Sequence, residues 1–508
     1  MNPWVIAPVV LPAVVGPLII LVMRNHTTQA RVASIACCCC LVAVAVGLLV
    51  LSASGGIVTY ALGNWPAPFG IVLVLDRLAA MMLLITAILG LVVSVYAAAT
   101  QLDRKGWHFH ALLQLQLLGL NGAFLTGDLF NLFVFFEVLL IASYCLMLHG
   151  GGSGRLKAGV QYVIINLVGS TLFLVAIGLL YGVTGTLNMA DMGRRIAAAP
   201  GADGGLIAAG CLMLTTVFAL KAAIVPLHFW LPKTYASTSP AVAALFVIMT
   251  KLGAYAIIRC TTLIFGEDAG ASAWVAGQWL MPAALMTGVL GFVGVLSARG
   301  LRELAAFSVV GSMGTLIAAV SAFQPAAMSA ALYYLASSTL GGAALFLLAD
   351  MIARRRTDRG DSLTAGPRMR HSRALSALFL VTAMAVIGLP PLSGFIGKLL
   401  ILDGVGLGGY GVWVRAMVLG ATLLSMIAFA RAGSVLFWKC TSPDPDAAAP
   451  AAVPARTPGT IAWAAPCALL ACVILLSVAA GPATAYLEAA SRQLFDAQQY
   501  YRAVLGPG

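Results

Sequence analysis

Runs of about 20 apolar residues recur from one end of this chain to the other, and each is long enough to cross a bilayer as a helix. About fourteen can be placed, at 4–23, 32–53, 77–99, 108–126, 129–148, 160–184, 205–228, 240–263, 274–297, 304–322, 328–350, 374–403, 411–438 and 459–480. Within hydrocarbon every backbone N–H and C=O must be satisfied inside the protein, which helices accomplish segment by segment. The expected fold class is therefore an all-α integral membrane protein. Composition agrees: of 508 residues 61% are hydrophobic and 9% charged, where a soluble domain carries about 25% charged residues. The first run is too long for a signal-peptide core. It also lacks a preceding basic region and a following small-residue cleavage site, so it is read as a helix.

The formal net charge of +12 raises nucleic acid as a partner, but its distribution argues against that. With alternating crossings, the loops near 24–31, 101–107, 149–159, 229–239, 298–303, 351–373 and 439–458 share one side. They hold most of the loop Lys and Arg, including "RRRTDRGDSLTAGPRMRHSR" at 354–373. Loops on the other side, such as 54–70 and 404–410, are nearly free of them. This asymmetry is the positive-inside pattern, which places the N-terminus outside the cytoplasm. The ten cysteines include "CCCC" at 37–40, inside an apolar run where they serve as small helix packers. No CxxC pair offers a metal or redox site.

The short loops imply one helical body in four stretches: N-terminal helices (1–104), a first helical repeat (105–265), a second (272–440), and a C-terminal stretch (441–508). The last contains the Pro/Ala-rich connection "TSPDPDAAAPAAVPARTPG" (441–459) and a final span. It ends in "AYLEAASRQLFDAQQYYRAVL" (485–505), whose helical spacing fits a segment lying along the membrane surface or on a partner, and a frayed tail equally well. Two spans are interrupted. "ALKAAIVPLHFWLP" carries Lys221, Pro226 and Pro232, and "VIGLPPLSGFIGKLLIL" carries Pro390, Pro391, Ser393, Gly394 and Lys398. Proline removes a helix hydrogen bond, and paired broken spans in two halves point to a transporter's central site.

A charge at the bilayer centre costs about 2.5–3.5 kcal/mol on insertion scales. The chain places Glu137, Lys221, Lys251 and Lys398 well inside apolar runs, too far from their ends to snorkel. Snorkelling or structural pairing suffices for Arg259, Arg415 and Arg431. A single Glu137–Lys221 ion pair locking two helices would be a bland explanation, yet it leaves Lys251 and Lys398 unexplained. Lysines removed from water release and rebind protons more readily than exposed ones, so three of them with one acid compose a proton path. His228 is a candidate relay, and equally a packing residue beside Pro226 and Trp230. The run "GVGLGG" (404–409) matches G-x-G-x-x-G but follows a membrane helix without a strand, so it is a loop turn. No P-loop, metal-spaced His cluster or GxSxG is present in the sequence, and no cofactor is expected.

"LNGAFLTGDLFNLFVFFEVLLIASYCLM" (120–147), "LKAAIVPLHFWLPKTYASTSPAVAALFVIMTKLGAYAIIR" (220–259) and "GLPPLSGFIGKLLIL" (388–402) resemble the antiporter-like proton-pumping subunits of respiratory complex I. They resemble more closely the D subunit of Mrp-type (Pha-type) monovalent cation/proton antiporters. "RELAAFSVVGSMG" (302–314) and "RAGSVLFWK" (431–439) extend the resemblance to about residue 440. It implies fourteen transmembrane helices, two inverted five-helix repeats and a hydrated polar axis. By the same resemblance Glu137 is the fifth-helix glutamate, Lys221 its seventh-helix partner, Lys251 the central eighth-helix lysine and Lys398 the twelfth-helix charge. Partners would be the other subunits of a hetero-oligomer of six or seven different membrane proteins, without cofactors. Many relatives carry a histidine in the eleventh-helix region. Here that region reads "LYYLASSTLGGAALFLL" (332–348), leaving Ser337, Ser338 and Thr339 as possible relay groups that order water but hold no excess proton.

The leading expectation is a proton-translocating subunit of a Na⁺(K⁺)/H⁺ antiporter, with no catalytic chemistry of its own. A membrane-arm subunit of a complex I-like or hydrogenase-type redox enzyme is the alternative, and a structural scaffold the third. Ion selectivity is not written in these residues.

Overall fold

The computed structural model describes residues 2–199, 203–356, 359–440 and 459–506. It is built almost wholly of helices, with one two-stranded antiparallel ribbon. The first four helices, α1 (Ala7–Leu21), α2 (Thr27–Ala53), α3 (Arg77–Ala99) and α4 (Phe109–Leu125), pack against one another. The ribbon β1 (Val58–Ala61) and β2 (Val72–Leu75) lies between α2 and α3, with Val58 opposite Leu75. Asp76 ends β2 and caps α3, accepting from the Ala79 N–H at 2.8 Å. Then come α5 (Leu129–Leu148), capped by Asp128, the long α6 (Ser153–Thr184) and the short α7 (Met189–Ala197).

The next pair is the first interrupted span: α8 (Gly204–Lys221) and α9 (Trp230–Ser237) are separated by irregular chain. α10 (Pro240–Leu263) follows, and all of its residues are buried, which places it at the centre of the bundle. α12 (Leu301–Val320) and α13 (Pro325–Ala353) pack on it, and α11 (Gly277–Ser297) packs on α12. The second interruption separates α14 (Ser372–Ile387) from α15 (Ser393–Gly404). Then come α16 (Gly411–Gly433), extended by a π-helical turn Ser434–Trp438, and α17 (Thr460–Val478). Eleven helices among the described residues are long and apolar enough to span a bilayer, and α1, α4 and α14 are shorter apolar helices. Peripheral α6 and α16 expose Ile164, Leu167, Leu419 and Leu423, as helices facing lipid do. The chain is a multi-pass membrane protein.

The run 374–403, read as one span, is two helices. Gly388, at φ +78°, closes α14 in the left-handed conformation that glycine tolerates, and the Pro390–Pro391 pair cannot supply the N–H groups to continue. The run 205–228 likewise overshoots its helix, which stops at Lys221. The freed backbone groups find protein partners, as hydrocarbon demands. The indole N–H of Trp230 donates to the Leu220 carbonyl at 3.1 Å, and the Val225 N–H donates to Thr287 Oγ1 at 2.9 Å.

The tail is not frayed. It forms α18 (Ala480–Phe495) and α19 (Ala497–Leu505), which fold back on the body. Tyr486 donates to the Arg77 carbonyl, Ser491 to that of Pro325 and Tyr501 to that of Leu263. The connection 441–458 lies outside the described residues.

Candidate functional site

Lys221 is the last residue of α8, where the helix ends inside the protein, and it is 5% exposed. Its ammonium donates to Asn166 Oδ1 of α6 at 2.9 Å and lies 5.9 Å from the centre of the Phe136 ring. Asn166 is held in turn by donating to the Tyr162 carbonyl one turn earlier, at 2.8 Å. Gly169, one turn further on, leaves the room: a Cβ there would meet Leu220 at 3.3 Å and the Lys221 ammonium at 3.8 Å.

Glu137, half-buried on α5, lies close enough for its charge to act on Lys221. The direct pair implied by the resemblance is nevertheless absent among the ion pairs of the described residues. Asn166 holds the ammonium and the Phe136 ring faces it, while Glu137 Oε1 is buried without a hydrogen-bond partner.

Lys251 is fully buried in α10 and donates to Ser312 Oγ of α12, at 3.2 Å. Lys398, 4% exposed on α15, donates to the Ile387 carbonyl at 2.8 Å and to Thr422 Oγ1 of α16 at 2.9 Å. Ile387 is the last residue of α14, so the second helix break provides this lysine's acceptor. Ser337 bridges α13 to the first residue of α15 through Ser393 Oγ at 2.8 Å. Ser338 and Thr339 donate back to the Leu335 carbonyl of their own helix, so only one of the three hydroxyls links helices. His228 sits in irregular chain after Pro226, its Nδ1 buried and unpartnered, and no hydrogen bond joins it to the lysines among the described residues. Pro226 lies in the first break, Pro390, Pro391 and Gly394 at the second. α8 packs on α10, α10 on α12 and α13, and α13 on α15. The three lysines therefore sit on a connected series of neighbouring helices.

The reading of charges missed the neutral groups that hold them: Asn166, Ser312 and Thr422. An amide deep in the apolar run of α6, where only Gln161 accompanies it, was the available signal for the first. Arg259 is a structural pair, as expected. Its guanidinium meets both Asp76 oxygens, at 2.5 and 3.0 Å, and donates to Tyr255 Oη at 2.9 Å. On the basic-loop side, Asp103 accepts from Arg31 of α2 and from His110 of α4. Burial opposes its ionisation, but these two hydrogen bonds and charges prevail and hold its carboxyl down at about 2. All ten cysteines are free. Among the described residues no three His, Cys, Asp or Glu gather as a metal site.

Comparison with known proteins joins this geometry to a family. Residues 126–425 match the family model described as NADH:quinone oxidoreductase/Mrp antiporter, TM. The probable K(+)/H(+) antiporter D subunit of Rhizobium meliloti (strain 1021) is 39% identical, over 97% of this chain and 96% of its own length. The Na(+)/H(+) antiporter D subunit of Bacillus subtilis (strain 168) is 34% identical over 99% of this chain and 100% of its own. Among solved structures, the Mrp complex from Dietzia sp. DQ12-45-1b contains a chain superposing with a TM-score of 0.87 at 27% identity, covering 100% of both chains.

Proposed function

Because this chain belongs to the NADH:quinone oxidoreductase/Mrp antiporter transmembrane family, we propose that it is the D subunit of a multisubunit Na⁺(K⁺)/H⁺ antiporter. In this reading it moves protons along Glu137, Lys221, Lys251 and Lys398. The observation that carries the reading is the identity of the lysines' partners. Each buried ammonium is held by neutral oxygens, an amide, hydroxyls or a carbonyl, and none is paired with a carboxylate among the described residues. A fixed ion pair would trap the proton, whereas a neutral acceptor lets it leave for the next site. Glu137, near Lys221 but not touching it, acts through its field: moving toward the ammonium it strengthens proton binding, and moving away it weakens it.

The fourteen-span, inverted-repeat arrangement belongs to the same proposal. It is supported by the placement of the two breaks, since Lys221 precedes its break and Lys398 follows its own. So do the periplasmic N-terminus, the bacterial inner membrane and a hetero-oligomer of six or seven subunits. Ser337, on the bridge between α13 and α15, is the most favourable hydroxyl for ordering water between Lys251 and Lys398.

The test is Lys221→Ala in the intact assembly, read as cation-dependent proton exchange in inverted vesicles. Exchange is expected to disappear while the assembly still purifies; full exchange refutes the relay. Iron–sulfur or flavin subunits in the gently solubilised assembly would instead support the redox-arm reading.

A further inference from the structure

The charge-rich end of the molecule holds a cavity of about 410 Å³ between the α1–α2 turn and the α3–α4 connection. That is many times the roughly 30 Å³ share of one water. Two helix N-termini open onto it, that of α2 at Thr27 and that of α4 at Phe109. Neither has a side-chain cap, since His26 and His108 at the N-cap positions make no capping bond. The first-turn N–H groups of a helix have no intrahelical partners and attract anions.

Arg24 and Arg104 line the same cavity, and neither is in an ion pair among the described residues. The one acid on the wall, Asp103, is already matched by Arg31 and His110. His110 also lines the cavity at 4% exposure, and its Nδ1 is buried without a partner. Such an orphaned polar atom calls for a ligand group. Beside the polar Asn25, Thr27 and His108, the wall has an apolar part made by Ile19, Met23, Ala30 and Phe109, and Trp107, 67% exposed beneath the Arg24 guanidinium at 5.8 Å, is the residue type that settles at headgroup depth.

We propose that this cavity binds the phosphate headgroup of an anionic phospholipid, between Arg24 and Arg104, with the glycerol end against Trp107. Unpaired positive charge and two open helix ends select an anion. The apolar wall at the membrane edge selects a lipid over a soluble phosphate. The site is remote in sequence from the lysine series and stands independently of the proton reading.

The experiment is native mass spectrometry of the full-length, delipidated protein titrated with phosphatidylglycerol, phosphatidylcholine and inorganic phosphate. Phosphatidylglycerol is expected to bind, and R24S/R104S to weaken it by about tenfold or more. R24K/R104K should keep it within a few-fold, and Lys157→Ser, elsewhere on the basic side, should leave it unchanged. Three results overturn the proposal: equal weakening by Lys157→Ser, phosphatidylcholine binding as tightly as phosphatidylglycerol, or displacement by inorganic phosphate at matched concentration. If R24S/R104S does not fold, loss of binding in R24K/R104K overturns it as well.

Discussion

Removing Asp76 should be among the most damaging single changes outside the lysine series, and the damage should be largely reversible by removing Arg259 too. Asp76 and Arg259 are 2% and 3% exposed and joined by two hydrogen bonds. Breaking a buried pair from one side strands the other charge, at a cost of about 3–5 kcal/mol. Asp76 also caps α3 through the Ala79 N–H, and losing a cap costs about 1 kcal/mol more. Asp76→Ala should therefore destabilise by about 4–6 kcal/mol. In Asp76→Ala/Arg259→Leu no charge is stranded, so about 1–2 kcal/mol should remain. The Tyr255 hydroxyl keeps its own acceptor, the Phe124 carbonyl at 2.6 Å, so the double variant leaves no new orphan there. The assay is the thermal unfolding midpoint of the purified protein in detergent, followed by tryptophan fluorescence. A double variant melting at or below Asp76→Ala refutes the stranded-charge argument and makes Arg259 stabilising in its own right.

Asn166→Leu removes the acceptor of the Lys221 ammonium, worth about 1.5–3 kcal/mol for a charged group. Proton exchange in vesicles should fall at least tenfold with assembly intact, and unchanged exchange would show that Asn166 is only packing. Gly253→Ala should destabilise the fold by about 1–3 kcal/mol, read as a lower melting point and a lower yield of folded protein. The added methyl would sit 2.6 Å from the Ala222 backbone nitrogen, and backbone cannot turn aside as a side chain can. Asp103, held at about 2 against an ordinary value of about 4, contributes stability above the ordinary value that is lost as pH falls toward 2. The drop in melting point between pH 6 and pH 3 should therefore be smaller in Asp103→Asn than in the parent protein.

Hydropathy located the helices whose ends coincide with polar or capping residues. The run 129–148 is α5 because Asp128 caps it, and 240–263 is α10 because Ser239-Pro240 begins it. It failed where apolar residues continue through irregular chain. "VPLHF" after Lys221 and "LPPL" before Ser393 look like helix to a hydropathy window, although the former run is helical only as far as Lys221 and the latter only on its two flanks. It also failed at the C-terminus, where α18 and α19 are too polar to register as spans yet are tied down by tyrosine hydroxyls reaching backbone carbonyls. At the candidate site the four charges were legible because each is costly in hydrocarbon and therefore conspicuous. Their acceptors were not. Serine and threonine in a membrane helix commonly satisfy themselves on the preceding turn, as Thr339 does, and nothing local separates them from Ser312 or Thr422, which meet a lysine.

The return of the C-terminal helices has a consequence for how the protein is made. Tyr500 follows both Asp76 and Arg259 in the chain, so its ring, 5.6 Å from the Arg259 guanidinium, leaves the ribosome well after them. Until then the cation lacks one wall of its enclosure, and the Leu263 carbonyl lacks the Tyr501 hydroxyl. A chain that stops before α18 thus keeps Asp76 and Arg259 but leaves their pocket open on the side that Tyr500 closes.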